Sequence, residues 1–222
     1  MKDKVLLIGG GGHCRVVIDA IKSSGQYEIA GITDPLFTKG ESVDGVPVLG
    51  RDEDLQALFD QGYRYAFICV GSVVDNKTRQ SLFQDVQRIG FGFPNVIHPS
   101  AVVSGNAQLG RGVFIAAGVI IGPGSRIGNN AIINTTSSVD HDCVIEDHVH
   151  VAPGVTLCGG VFIGQGSLIG PGSTVIVGKR IAPGCLIGAG ATVVDDCKEA
   201  GTYWGTPARR KGAVSDIASI IQ

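Results

Sequence analysis

"IGPGSRIGNNAIINTTSSVD", residues 121–140, decides the fold of this chain through the spacing of its aliphatic residues. They stand six places apart, at Ile121, Ile127, Ile133 and Val139. The same spacing of Ile, Leu or Val runs from Ile97 to Val193, over 17 successive positions without an insertion. An α-helix repeats every 3.6 residues and a strand every two, so neither explains this period. A parallel β-helix does, because each hexapeptide forms one short strand and one corner.

A second column of residues supports the β-helix. Four places after each aliphatic residue the side chain is usually small or Val, and Lys179 is the one bulky polar exception. The small residues are Ala101, Ala107, Ser125, Ala131, Ser137, Cys143, Ser167, Ser173, Cys185 and Ala191. We expect the aliphatic column to fill the interior and the small column to let the opposite wall approach. Gly, Pro, Asn and Asp stand between them, where the chain turns.

The first part of the chain follows a different pattern. Short apolar runs at 4–8, 27–34 and 65–71 predict buried parallel strands, and the segments between them predict helices. This alternation is typical of a small, Rossmann-like parallel α/β sheet that binds ligands at the carboxyl ends of its strands. We therefore expect an α/β domain at 1–95, a β-helix at 96–197 and a C-terminal tail at 198–222.

Composition excludes several classes of function. The net charge is -2, from 18 basic and 20 acidic residues, which argues against nucleic-acid and membrane-surface partners. The apolar run before the first glycines is too short for a signal peptide or a membrane span. The six cysteines form no CxxC pair and predict buried thiols in a reducing compartment. We expect a soluble, cytoplasmic protein.

Three of the five histidines lie within ten residues of the repeat, at His141, His148 and His150. One interpretation makes them solvated corner residues. A second makes them zinc ligands, as in γ-type carbonic anhydrases, but the upstream partner would have to be His98. A third makes His141 a general base for acyl transfer, with the carboxylate of Asp142 orienting its ring. We favour the third and expect no metal.

Three segments together resemble the sugar O/N-acetyltransferase family, which includes sialic acid O-acetyltransferases and N-acetyltransferases of nucleotide-linked 4-amino-4,6-dideoxy sugars. They are "GGGGH" (9–13), "INTTSSVDHDCVIEDHVHVAPG" (133–154) and "GTYWGTPARR" (201–210). The resemblance implies a left-handed β-helix with three hexapeptides per coil, acetyl-CoA as co-substrate, and a homotrimer that binds CoA between neighbouring β-helices. The period alone sets neither the hand nor the coil length.

The resemblance also implies roles for single residues. His141 would be the catalytic base, Asp142 its partner, and His150 a contact of the acetyl or pantetheine end of acetyl-CoA. Family members often carry Glu where this chain has Asp142. No role follows for His148, which we expect at the corner surface. We also expect a backbone N–H near Gly159 to stabilise the oxyanion of the transition state.

The glycine loop at 9–15 follows the first strand but does not fit G-x-G-x-x-G, so it is weak evidence for NAD. Small residues still let backbone N–H groups approach a diphosphate at a helix N-terminus, although the glycines could simply form a tight turn. The resemblance implies that the loop binds the nucleotide part of a nucleotide-sugar. The residues expected in that site are Gly11, Gly12, His13, Asp34, Gly71 and Ser72. Arg79 is expected on a solvated helix face or, alternatively, as a phosphate partner.

The tail breaks the repeat after Val193. Its G-x-P-A-R form is similar to the end of hexapeptide acetyltransferases, which lies against CoA, so Arg209 and Arg210 would pair with CoA phosphates. Trp204 is expected to cap the last coil or, alternatively, to flank the adenine. The last ten residues, "AVSDIASIIQ", predict a short amphipathic helix.

These expectations combine into an acetyl-CoA-dependent N-acetyltransferase that acts directly on the amine of a nucleotide-linked 4-amino-4,6-dideoxy sugar, without an acyl-enzyme. An O-acetyltransferase of a free sugar acid such as sialic acid is the alternative. A non-catalytic nucleotide-sugar-binding scaffold is the second alternative. The sequence does not distinguish a UDP-sugar from a GDP-sugar.

Overall fold

The computed structural model describes residues 2–72 and 75–214. The chain begins with strands and helices that include every predicted element in the predicted order, together with two strands that were not predicted. These elements are β1 (Lys4–Ile8), α1 (Gly12–Ser24), β2 (Glu28–Thr33), β3 (Ser42–Val43), β4 (Val46–Gly50), a 3₁₀ helix (Asp52–Asp54), α2 (Leu55–Asp60), β5 (Tyr65–Ile68) and α3 (Lys77–Ile89).

The N-terminal strands form one sheet in the order β3-β4-β2-β1-β5. The pairs β1–β2, β1–β5 and β2–β4 are parallel, and the short strand β3 is antiparallel to β4. Strands β3 and β4 were not predicted from the sequence, although the residues of β4 are apolar and alternate in burial. The carboxyl ends of β1, β2 and β5 share one edge, where the glycine loop also lies.

Very short strands then wind into a β-helix with three faces. The first face contains β6 (Val96–Ile97), β9 (Phe114–Ile115), β12 (Ile132–Ile133), β15 (His150–Val151), β18 (Leu168–Ile169), β21 (Leu186–Ile187) and β23 (Thr202–Trp204). The second contains β7 (Val102–Val103), β10 (Ile120–Ile121), β13 (Ser138–Val139), β16 (Thr156–Leu157), β19 (Thr174–Val175) and β22 (Thr192–Val193). The third contains β8 (Gln108–Leu109), β11 (Arg126–Ile127), β14 (Val144–Ile145), β17 (Phe162–Ile163) and β20 (Arg180–Ile181).

The repeat length of this β-helix is eighteen residues, or three hexapeptides per coil. Ile115 pairs with Ile133, and Ile133 with Val151, in parallel register. The coil is left-handed, as expected, and so departs from the right-handed preference of parallel crossovers. From residue 115 to residue 193 every aliphatic member of the six-residue repeat is buried, so this column fills the interior.

One corner residue in each hexapeptide adopts a left-handed backbone conformation. From 112 to 190 it recurs at every sixth position, and glycine occupies ten of these positions with φ between 66° and 73°. Four consecutive corners carry other residues in the same conformation, namely Asn130, Thr136, Asp142 and His148. A side chain costs energy there, so these four departures from glycine mark a specialised part of the coil.

The N-terminal sheet packs on the first face of the β-helix, and the two share a continuous hydrophobic core. Phe114 on that face contacts the edge of the Phe67 ring, with ring centroids 6.4 Å apart. Phe83 of α3 stacks on Phe93, which precedes the first coil. These docking contacts lie on the first coils of the first face and at the corners beside it, and none of them reaches the second face.

The C-terminal tail extends the first face. β23 pairs with β21, and β24 (Arg209–Gly212) returns antiparallel to β23, so the last strands protect an edge of the β-helix. Trp204 belongs to this cap. The helix expected over the last ten residues lies outside the described residues from position 215 onward. Within the described part of the chain, no helix is long and apolar enough to cross a membrane.

Replacing a corner glycine tests the corner rule, namely that the left-handed backbone at these corners is costly for any residue other than glycine. Gly172 has φ 66° and open space around it, so Gly172→Ala adds only the cost of a left-handed side chain. We expect a loss of about 1–2 kcal/mol in the free energy of unfolding, seen as a fall of roughly 2–4 °C per kcal/mol in calorimetry.

The matched control is Gly105→Ala. Gly105 also has open space around it, but its backbone lies outside the left-handed region. This change should be neutral or stabilise by up to about 1 kcal/mol. Equal melting temperatures for the two variants would contradict the corner rule.

Candidate functional site

A cavity of about 640 Å³ lies where the glycine loop meets the β-helix. The six residues expected to bind a nucleotide-sugar all line it: Gly11, Gly12, His13, Asp34, Gly71 and Ser72. His150 lies in the same wall, together with Asn134, Thr135 and Pro153 from corners between the first and second faces. The cavity therefore joins the carboxyl edge of the N-terminal sheet to the β-helix.

Asp34 holds the glycine loop in shape. Its carboxylate accepts hydrogen bonds from the backbone N–H groups of Gly10, at 2.6 Å, and Leu36, at 2.7 Å. A side chain on Gly10 would press against the ring of Phe37, so the loop tolerates only glycine there. Helix α1 begins directly after the loop, with Gly11 as its N-cap, and a helix N-terminus favours an anion.

His13 is a buried imidazole in the first turn of α1. Burial lowers the pKa of His13 to about 4, and the charge of Arg79 acts in the same direction. Its ring meets Phe114 edge-on, with centroids 5.1 Å apart. The Nε2 atom is buried without a hydrogen-bond partner among the described residues. The side chain is therefore neutral, and one of its ring nitrogens lacks a hydrogen-bond partner.

His150 shares a hydrogen bond with Asn134. Asn134 Oδ1 accepts from the N–H and Oγ1 of Thr135, so Nδ2 is the amide atom that faces His150 Nε2, at 3.3 Å. An amide nitrogen only donates, so Nε2 accepts and the ring proton lies on Nδ1. That atom is buried and has no partner among the described residues. The His150 N–H donor therefore has no acceptor among the described residues.

His141 and Asp142 form the expected pair. His141 Nδ1 lies 2.9 Å from Asp142 Oδ2, and the left-handed backbone of Asp142 brings these adjacent side chains together. The hydrogen bond to Asp142 raises the pKa of His141, and the charge of Asp140 adds to the effect. With Nδ1 committed to the carboxylate, Nε2 is the ring nitrogen that can accept a proton.

Gly159 lies directly under the His141 ring, one coil further along. A Cβ at position 159 would collide with His141 Nε2, so glycine lets the ring lie flat over the next corner. The Gly159 carbonyl accepts from the N–H of Gly178. The role of the Gly159 N–H toward an oxyanion stays a prediction.

His141 does not line the cavity of its own chain. It stands at a corner between the second and third faces, whereas the cavity opens at a corner between the first and second. Strand β13 of the second face separates the two corners. The imidazole is more than half exposed in the single chain. Within one chain, the His141 corner and the cavity therefore do not meet.

Two sequence expectations are wrong. His148 is buried instead of lying at the surface: Asn130 Nδ2 donates to its Nδ1 at 2.9 Å, and its ring packs against Phe83. Arg79 is 1% exposed and donates to the carbonyls of Asn130 and His148. Both are buried because α3 docks on these corners, which the hexapeptide period does not reveal. The signal that was missed lies at these corners, where Asn130 and His148 replace the glycine that otherwise recurs at every sixth position.

The arginines of the tail are exposed and already paired. Arg209 Nη1 lies 3.1 Å from Asp195, and Arg210 Nε lies 3.8 Å from Glu199. Both are on β24, away from the cavity, so their contact with CoA stays a prediction. Among residues 2–72 and 75–214, no cluster of three His, Cys, Asp or Glu side chains is arranged to hold a metal.

Comparisons with known proteins match both parts of the chain. Residues 4–86 match the PglD N-terminal domain family, and residues 124–159 and 142–177 match the bacterial transferase hexapeptide family of six repeats. GDP-perosamine N-acetyltransferase of Escherichia coli O157:H7 is 28% identical over 175 residues, which are 76% of each chain.

Two solved structures are similar over nearly the whole chain. The H141A mutant of GDP-perosamine N-acetyl transferase from Caulobacter crescentus, in complex with CoA and GDP-perosamine, is 42% identical, with a TM-score of 0.89 over 94% of this chain and 97% of that one. The acetyltransferase domain of PglB from Neisseria gonorrhoeae FA1090, in complex with acetyl coenzyme A, is 33% identical, with a TM-score of 0.87 over 95% of this chain and 100% of that one.

The buried histidines of the cavity predict a pH-dependent stability. The pKa of His13 is about 4 and that of His150 about 3 in the fold, against 6.5 ordinarily. Below pH 6.5 these histidines bind protons in the unfolded chain but not in the folded chain. Their contribution to the free energy of unfolding is therefore complete above pH 6.5 and decreases as the pH falls toward 4. The slope is up to about 1.4 kcal/mol per pH unit for each histidine.

Urea unfolding at pH 7, 6 and 5 measures this slope. His13→Asn should be less stable at pH 7 but should lose stability less steeply on acidification, because it removes one of the two protons. His150→Asn should do the same by itself, and the double variant should show both reductions. Slopes equal to that of the parent would contradict the neutral state of these histidines.

Proposed function

The chain is an acetyltransferase of the hexapeptide-repeat family with a PglD-type N-terminal domain, and on that premise we propose that it N-acetylates a nucleoside diphosphate-linked 4-amino-4,6-dideoxy sugar with acetyl-CoA. One observation carries the proposal. The glycine loop, the N-terminus of α1, and the His150–Asn134 pair surround a single cavity of about 640 Å³.

The cavity suits the two ends of such a sugar nucleotide. The α1 N-terminus offers backbone N–H groups and a favourable dipole to a diphosphate. Ser72 Oγ and His13 Nε2 are buried without partners among the described residues, so a ligand with several oxygens would satisfy them. A free sugar acid would leave the glycine loop unused, which favours the nucleotide-linked acceptor. The relatives named for GDP-perosamine favour an amine as the group acetylated.

His141 is the proposed general base. Its Nε2 takes a proton from the sugar amine while the nitrogen attacks the thioester carbonyl, the carbon–sulfur bond breaks, and the proton then reaches the departing CoA sulfur. Asp142 holds the ring and stabilises its protonated form. Transfer is direct: Cys143 follows this pair in sequence, but it is buried, and burial raises the pKa of its thiol.

The position of His141 supports a site shared between chains. We propose a homotrimer in which the cavity of one chain faces the His141 corner of its neighbour. The open second face fits such a contact, because its outward residues are uncharged: Val102, Ile120, Ser138, Thr156, Thr174 and Thr192. Val102 and Ile120 are 63% and 53% exposed in the single chain. CoA would lie between β-helices, with Arg209 and Arg210 near its phosphates.

All six cysteines are free thiols, which fits our proposal of the cytoplasm, a reducing compartment, as the place of action.

An acceptor panel tests the substrate class. Acetyl-CoA and a thiol reagent are supplied with GDP-perosamine, a UDP-linked 4-amino-4,6-dideoxy sugar, free perosamine or free sialic acid. We expect turnover on a nucleotide-linked amine and at least about a 100-fold lower kcat/KM on free perosamine, because remote binding energy is lost. The product should resist hydroxylamine, which cleaves esters but not amides. Turnover on free sialic acid alone would reverse the choice of substrate.

Two inactive variants, one changed at His141 and one in the cavity, test the role of His141 and, when combined in one trimer, the shared site. His141→Ala should lower turnover by about 10²–10⁴-fold while calorimetry shows both substrates still binding. Gly11→Asp should abolish sugar-nucleotide binding, because it places a carboxylate where the diphosphate would lie. Asp is a favoured N-cap and position 11 has open space, so this variant should fold. Gly11→Ser is its uncharged control.

Two differently tagged inactive variants, co-expressed and purified through both tags, give mixed trimers. In a cyclic trimer one of the three junctions then pairs an intact His141 with an intact cavity, so about a third of the parental turnover should return. Trimers of a single variant should stay inactive. Mixed trimers without activity would place the whole site within one chain.

A further inference from the structure

Arg79 is a buried cation without a carboxylate partner. It lies in the first turn of α3, is 1% exposed, and forms no ion pair with the described residues. Its guanidinium donates to two carbonyls, those of Asn130 and, at 2.7 Å, His148. Its Nε is buried without a partner in the described chain. An unpaired buried charge is costly, because no opposite charge offsets the loss of its hydration. Stability alone therefore gives a poor account of this arginine.

The two carbonyls belong to stacked corners of the β-helix that carry a side chain instead of glycine. Asn130 and His148 stand eighteen residues apart, so they are stacked corners of adjacent coils, and both have the left-handed backbone that glycine usually supplies. Asn130 Nδ2 closes the contact by donating to His148 Nδ1 and, at 3.4 Å, to the Arg79 carbonyl. His150, which lines the cavity and whose Nδ1 is buried without a partner among the described residues, follows His148 by two residues.

We propose that Arg79 is a positioning residue of the active site: by holding the corners at Asn130 and His148 under α3, it sets where His150 and Asn134 lie in the cavity. The proposal deepens the function proposed above and rests on it. Arg79 does not touch substrate, because its guanidinium is closed off from the cavity. It acts through the backbone of the coil that carries His150.

The charge of Arg79 has a second effect on the same histidines. It adds to burial in lowering the pKa of His150 and of His13. The groups facing His150 are His13 from α1, Arg79 from α3, Asp34 after β2 and Cys69 after β5. The Asp34 carboxylate accepts hydrogen bonds from two backbone N–H groups. Arg79 thus favours the neutral His150 whose Nδ1 carries a proton that can be donated.

Three variants separate positioning from support of the fold. Arg79→Met removes both the charge and the hydrogen bonds, Arg79→Lys keeps the charge and one donor group, and Arg88→Met is the control on the exposed face of the same helix. We expect Arg79→Met to fold and to lose about 100-fold in kcat, with a small change in the KM of the sugar nucleotide. Arg79→Lys should recover part of the loss, and Arg88→Met should match the parent.

Histidine NMR titration supplies a readout that a purely structural role would not move. In the parent, His13 and His150 should stay neutral at pH 5, and in Arg79→Met both should titrate at higher pH, whereas Arg79→Lys should resemble the parent. Parental histidines that titrate near pH 6.5 would overturn the proposal, even if no Arg79 variant folds. An Arg79→Met enzyme whose kcat is within threefold of the parental value would also overturn the proposal. Equal losses of kcat in both Arg79 variants, with unchanged histidine titrations, would overturn it as well. Failure of the parent on every sugar nucleotide would instead refute the proposed function.

Discussion

Parallel pairing of each β-helix residue with the residue eighteen places later is the constraint on which the site depends. The pairing stacks chemically different residues in columns: Gly159 under His141, and His148 on Asn130. Because the columns are straight, one long side chain from outside can reach two coils at once, as Arg79 does. The functional groups are thus placed by the backbone ladder, and no loop insertion is needed to hold them.

Left-handed corners impose a cost on residues other than glycine, and at three of the four corners that carry one the structure shows what the side chain does. A left-handed backbone costs a non-glycine residue roughly 1–2 kcal/mol, and four consecutive corners accept it. Asp142 orients His141, and Asn130 and His148 bind each other. Thr136 forms only a bond to the neighbouring carbonyl of Thr135, and nothing further in the structure explains it. Strain of this kind concentrates at functional sites because the surrounding structure over-determines it.

The regular part of this structure was readable from the sequence, and the parts that depend on docking were not. A strict period of six residues determines strand and corner positions by itself, and the glycines after β1 indicate a ligand-binding edge. The period by itself does not contain the coil length, which was expected only from the family resemblance, and the contact between Asn134 and His150 depends on that length. The burial of His148 and Arg79 arises when α3 packs on the corners, a long-range event with no local signal. Strand β3 was missed because two residues leave no hydrophobic pattern, whereas the apolar run of β4, Val46–Gly50, is readable in the sequence and was overlooked.

The three-faced coil also limits how such a chain can vary in length. Each hexapeptide carries the backbone through a third of a coil, so a six-residue insertion ahead of residue 139 would rotate the imidazole of His141 onto a different face. An eighteen-residue insertion would keep its azimuth and move it along the axis by one strand spacing, about 4.8 Å. Insertions and deletions upstream of the site therefore preserve the orientation of His141 only when they add or remove whole coils. The length of this part of the chain can change in evolution only in steps of eighteen residues.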